Sequence, residues 1–154
     1  MLHEERLLER SIVYATDINQ ESLRRAQAGG YSVDQMRKFT ESHRRSGARV
    51  SLSDFYHASR GHAVIDSGLR EKITFADHSL ATDGVFSEVQ LISCRNVLIY
   101  FDRQLQDHAV HLFSEALCHR GFLGLGMKES LRFSSHAGEF EAYEANSKIY
   151  RKAA

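Results

Sequence analysis

Residues Glu88 to Phe101, EVQLISCRNVLIYF, constrain the fold more than any other stretch of the chain. Val89, Leu91 and Ile92 form an apolar run of strand length, which suits a strand buried on both faces, and Ser93, Cys94, Arg95 and Asn96 break it with small and polar groups. The buried strand is therefore expected to end at Arg95-Asn96. A second apolar set, Val97, Leu98, Ile99, Tyr100 and Phe101, follows at once, and Asp102 stands as an N-cap for a helix from Arg103. Polar groups at the carboxyl end of a central parallel strand lie where open α/β sheets bind ligands, so a small-molecule site is expected there.

With 154 residues, the chain can bury about two-thirds of its unfolded surface as a single domain. Twenty basic and twenty acidic residues cancel, so no bulk charge points to nucleic acid or an anionic membrane. Cys94 and Cys118, the only cysteines, lack metal-ligand spacing and read as reduced thiols of a cytoplasmic protein. No apolar run reaches the roughly 18 residues of a membrane span, and the charged segment Met1 to Arg10 does not resemble a signal peptide. Membrane insertion is not expected.

Leu2, Leu7 and Leu8, set among charged residues, read as the last turns of an amphipathic helix. Ser11 to Ile18, SIVYATDI, is a β-branched and aromatic strand carrying Asp17 near its end, and Asn19 caps a helix through Ala28 that Gly29-Gly30 closes. This is half of a βαβ unit. Val33, Met36 and Phe39 give a short helix within Tyr31 to Phe39, whereas Glu41 to Arg49 has no core pattern. Scattered apolar residues between Val50 and Leu69 suit a small antiparallel excursion, placed at 45–70 as an inserted β-subdomain. Ile73 to Ala76 resumes the sheet. After the central strand, Leu105, Ala109, Leu112, Phe113, Ala116 and Leu117 mark an amphipathic helix ended by Gly121. Phe122 to Met127, with alternating glycines, is a strand that other backbone approaches closely, and Glu139 to Tyr143 with Lys148 to Arg151 make a last hairpin. The sum is an α/β sheet with an antiparallel edge.

Three places could carry chemistry. Asp17 can accept two ribose hydroxyls of a nucleotide-like cofactor, or can simply turn the chain. Ser79-Leu80 can meet an adenine, or can be an ordinary loop. Arg95 and Asn96, with Tyr100, form either a satisfied buried network or a ligand site, because burying them unpaired costs several kcal/mol. The nine histidines show no zinc pattern, and no nucleophile-elbow glycines accompany a Ser/His/Asp set.

In company, three motifs resemble the CheR-type chemoreceptor methyltransferases: ATDIN (Ala15 to Asn19), ITFADHSL (Ile73 to Leu80) and above all LISCRNVLIYFD (Leu91 to Asp102). The resemblance implies a class I S-adenosylmethionine-dependent methyltransferase (Rossmann-like) sheet with a terminal antiparallel hairpin and a small inserted β-subdomain. It also implies methylation of glutamate side chains on the cytoplasmic helices of chemotaxis receptors. Carried over by position, Asp17 would hold the ribose, Ser79 and Leu80 would flank the adenine, Asn96 and Val97 would line the cofactor pocket, and Tyr100 would lie near the transferred methyl, orienting rather than acting as a base.

Against the family pattern, the first cofactor motif and an N-terminal helical domain are expected upstream of Met1, so residues 1–154 read as a partial, N-terminally truncated catalytic domain. Without the first strand, a doubly wound sheet lacks a central member. Ser79 stands where the family often has asparagine, Gln90 where aspartate is common, and Met127-Lys128 in place of the usual His-Ser before Glu129. Two functions stay open: a protein-glutamate O-methyltransferase, and a non-catalytic remnant acting as a protein-binding module in chemotaxis-type signalling. A nicotinamide-dependent oxidoreductase shares the acidic strand end but does not account for CRNVLIYF.

Overall fold

β-Branched and aromatic residues extend the backbone at β1 (Val13–Asp17), which pairs in parallel with β5 (Ile73–Asp77) in a register that sets Val13 beside Ile73 and Asp17 beside Asp77. This computed structural model describes residues 1–153 and divides into two units, Met1–His78 and Ser79–Ala154. Helix α1 (Gln20–Ala28) follows β1 because Asn19 Oδ1 accepts from the amides of Glu21 at 2.9 Å and Ser22 at 3.1 Å. Gly29 ends the helix at φ 65°, and a Cβ there would meet Arg70 Cδ at 2.6 Å, so the position requires glycine on both conformational and steric grounds.

The rest of the first unit is an antiparallel sheet in the order β2-β4-β3, formed by β2 (Gly30–Ser32), β3 (Tyr56–Ser59) and β4 (His62–Ile65), with α2 (Val33–Arg45) against it and the single turn α3 (Ser67–Arg70) leading to β5. The short helix expected to stop near Phe39 runs on to Arg45. A reciprocal capping box between Ser32 and Gln35 starts it, buried Met36 anchors it, and the polar residues that lack a core pattern form its solvated end, where Arg44 pairs with Glu41. The N-terminal amphipathic helix is not formed. Met1 to Arg6 make turns, and only Leu8–Arg10 is helical, as one 3₁₀ turn. A single turn there has too few intrahelical bonds to offset nucleation.

The second unit holds most of the core. Its sheet runs β6-β7-β9-β8: β6 (Val89–Cys94) is parallel to β7 (Leu117–Leu125), while β9 (Ile149–Lys152) and β8 (Phe140–Glu144) complete an antiparallel hairpin as expected. Helix α4 (Arg103–Ala116) begins where Asp102 accepts from the Leu105 amide at 2.9 Å, and it buries Ala109, Val110, Leu112 and Phe113. Of these, Ala109, Val110 and Phe113 meet Leu98, Leu117, Leu123 and Leu125 in one apolar cluster.

Two expectations are corrected here. Helix α4 ends at Ala116 rather than near Gly121, because Lys152 Nζ donates to the carbonyls of Ser114 at 2.6 Å and Leu117 at 2.8 Å and the chain turns directly into β7. The register of β7 against β6 then shifts between Val89 and Leu91, and at Gly121 a Cβ would lie 3.0 Å from the Cys118 carbonyl and 3.2 Å from that of Gln90. The second correction concerns β6, which is not buried on both faces: Leu91 is 55% exposed. Among the described residues β6 pairs with β7 alone, which leaves one edge of the strand open.

Candidate functional site

The loops leaving the carboxyl ends of β6 and β7 start side by side, because Cys94 is the register partner of Leu125. The β6 loop turns sharply at Asn96, whose φ of 61° is left-handed and rare for a residue with a side chain. Leu98–Tyr100 form a 3₁₀ turn, with Leu98 driven into the core and Tyr100 left 80% exposed. Gln106 Nε2, on α4, donates to the carbonyls of Leu98 and Phe101, both at 3.0 Å, and so closes the turn from below.

A buried carboxylate organises this corner. Glu129 is 4% exposed, and it accepts four backbone amides: Asn96 at 2.9 Å and Gly126 at 2.6 Å on Oε2, and Val97 and Leu98 at 2.8 Å on Oε1. Four backbone donors meet the hydrogen-bonding capacity of its two oxygens away from water. Beside it, burial and then the Glu129 charge push the Cys94 thiol up to about 12, so this cysteine is a core group and not a nucleophile. Sequence reasoning missed Glu129. The available signal was an acid just beyond the glycine-rich strand Gly121 to Gly126.

The expected site residues fall into both units. Asp17, in the first, is exposed at the end of β1, and its Oδ1 accepts the Asn19 amide at 2.8 Å. The other five lie in the second unit. Ser79 opens a turn in which its own amide donates to Asp83 Oδ2 at 2.8 Å and its hydroxyl accepts from the Ala81 amide at 3.2 Å. Leu80 and Val97 are half-buried against the core cluster. Asn96, Val97 and Tyr100 share the turn just described, and the structure brings those three together. The buried Arg95-Asn96 pair expected from the sequence is not observed: both residues are exposed, since they fall just beyond the last ladder position of β6. An open groove in the first unit, between α2 and the β3-β4 hairpin, is lined by Met36, Arg37, Tyr56 and Ala63 among others and includes none of the six residues.

Two further clusters hold the second unit together. Asp107 on α4 accepts from the hydroxyl of Ser134 and from the amide and hydroxyl of Ser135, and these bonds keep its carboxyl below the usual range. Glu139 is lowered by the hydroxyl of Ser114 and then by His136, whose Nδ1 lies 2.6 Å from its Oε1. Neither cluster touches the Asn96 turn in any described contact.

The sequence matches the family model described as CheR methyltransferase, SAM binding domain, over residues 1–149. The chain belongs to the CheR methyltransferase family. A Pseudomonas putida protein named "Putative methyltransferase Cher3" is 57% identical over 152 residues, 99% of this chain and 56% of its own length. A chemotaxis protein methyltransferase of Listeria innocua is 34% identical over 131 residues, 81% of this chain and 47% of its own. This CheR chain thus spans about half the length of the curated relatives it matches. The N-methyltransferase NodS of Bradyrhizobium japonicum, in a crystal structure with S-adenosyl-L-homocysteine, covers 53% of this chain and 55% of its own at a TM-score of 0.42 and 15% identity. The mixed α/β architecture with parallel strands agrees with the class I methyltransferase fold, and the cofactor of the family is S-adenosylmethionine. No helix among the described residues is long and apolar enough to cross a membrane.

Proposed function

We propose that this CheR chain serves the S-adenosylmethionine-dependent methylation of glutamate side chains on chemotaxis receptors, a protein-glutamate O-methyltransferase reaction carried out in the cytoplasm. The observation that carries the reading is the match to the CheR cofactor-binding domain over residues 1–149. The chemotaxis methyltransferases among its relatives support the substrate class. The partner is then a receptor's cytoplasmic helix. The antiparallel excursion at 45–70, extended by β2, is a subdomain of the catalytic domain in this reading.

The six candidate residues fit the cofactor in their chemistry. Asp17 offers an exposed carboxylate to hydroxyls, Ser79 has a hydroxyl proton left to donate, Leu80 and Val97 offer apolar surface, and Asn96 presents an exposed amide on a fixed turn. When bound, S-adenosylmethionine supplies an electrophilic methyl group on a sulfonium. What remains for the protein is to hold a glutamate carboxylate in line and exclude water from it, which are effects of position and desolvation rather than proton transfer. Tyr100, exposed on its 3₁₀ turn, orients that carboxylate through its hydroxyl and does not act as a base.

The test incubates the chain with methyl-labelled S-adenosylmethionine and a receptor cytoplasmic domain, and measures label released as methanol by mild base. Base-labile label is expected, and Tyr100→Phe should lower kcat/KM about tenfold, the value of one orienting hydrogen bond. A chain that binds S-adenosylhomocysteine but yields no base-labile methyl refutes the reading and leaves a protein-binding module of chemotaxis-type signalling.

A further inference from the structure

Three consecutive amides, Asn96, Val97 and Leu98, turn inward around one point, an arrangement of the kind that elsewhere captures an anion. Here the anion is built in. Glu129 supplies it from the loop after β7 and ties that loop to itself through the Gly126 amide. One carboxylate therefore staples together the two loops that leave neighbouring parallel strands at their carboxyl ends, where α/β sheets bind ligands. The fit leaves no slack: a Cβ at Gly126 would lie 2.6 Å from Glu129 Oε2, 2.7 Å from Asn96 Oδ1 and 2.9 Å from the Asn96 amide nitrogen.

We infer that Glu129 is a positioning residue for cofactor binding: it holds Asn96 in its left-handed conformation and so sets the direction in which Asn96 and Val97 face the cofactor. The inference rests on the reading of Asn96 and Val97 as cofactor-facing. All four bonds described for the Glu129 carboxylate go to these two loops and none to α4, β8 or β9. The α4 end of the unit is secured separately by Asp102 and Lys152. Loss of Glu129 should therefore loosen the turn before it loosens the core.

Glu129→Gln keeps the size of the side chain, but whichever way the new amide is turned, its NH₂ group faces two N–H donors that an oxygen had accepted. Hydrogen exchange at Asn96, Val97 and Leu98 should accelerate about tenfold or more while Leu123 and Leu125 exchange as before, because opening is local. The dissociation constant for S-adenosylhomocysteine, measured by titration calorimetry, should rise about tenfold, and Glu129→Asp, which keeps the charge, should recover part of it. Val110→Ala, a core change on α4, should lower Tm without moving that constant.

In the unsubstituted chain, S-adenosylhomocysteine should shift the amide resonances of Asn96 to Leu98 and the carboxyl carbon of Glu129, a readout that stands even if Glu129→Gln does not fold. Unchanged exchange at the turn, affinity within twofold of the unsubstituted chain, an equal affinity loss in Val110→Ala, or no binding and no shifts at all would each overturn the inference. Loss of methyl transfer with cofactor binding intact would overturn only the proposed function.

Discussion

Asp17→Asn separates two things that one carboxylate does at the end of β1. The side chain is exposed, and Oδ1 accepts the Asn19 amide at 2.8 Å, just before Asn19 caps α1 through Glu21 and Ser22. Asparagine retains an oxygen for that amide, whereas Asp17→Ala removes it. An exposed hydrogen bond of this kind contributes about 0.5–1.5 kcal/mol. For a chain of 154 residues, 1 kcal/mol moves Tm by about 2–4 °C, so Asp17→Ala should melt a few degrees lower while Asp17→Asn melts within about 1 °C of the unsubstituted chain. Binding should follow the charge instead. A hydrogen bond to an ionised acceptor is worth about 1.5–3 kcal/mol, and its loss weakens S-adenosylhomocysteine binding roughly ten- to a hundredfold in both variants. Asp77, the register partner of Asp17, serves as the control: its Oδ2 is held by Gln20 Nε2 at 3.3 Å, and Asp77→Asn should leave affinity little changed. Titration calorimetry with thermal melting reads both effects. An Asp17→Asn chain that binds within twofold of the parent would show that the carboxylate does not meet the ribose.

Asp107 and Glu139 are both held below the usual carboxylate range, so each binds fewer protons folded than unfolded; their stabilisation is present above that range, about pH 4, and is lost as pH falls through it to the lowered folded values. The double variant Asp107→Asn/Glu139→Gln should flatten the acid limb of a Tm-against-pH curve, and an unaltered limb would refute this assignment. The Cys94 thiol, raised to about 12, should resist iodoacetamide at pH 8 in the native chain and react after denaturation, while half-exposed Cys118 labels in both states; equal native labelling by mass spectrometry would contradict the burial of Cys94.

Local chemistry was legible in the sequence. The β1 strand, the Asn19 and Asp102 caps, the left-handed Gly29 and the closing hairpin each depend on residues only a few positions apart, and the structure forms them where the pattern predicts. The motif LISCRNVLIYFD likewise resembles the family's, and the family match agrees. Tertiary structure decided what depends on partners farther away. Whether Arg95 and Asn96 are buried, how far α2 runs, and where α4 gives way to β7 follow from what packs against each segment, and apolar periodicity does not report that. Glu129 is the clearest case. It lies 31 to 33 residues from the amides it holds at Asn96, Val97 and Leu98, and the glycine-rich strand before it does not say which distant amides it will meet. Only the parallel pairing of β6 with β7 brings the two loops together, and only burial gives four amides reason to converge on one carboxylate.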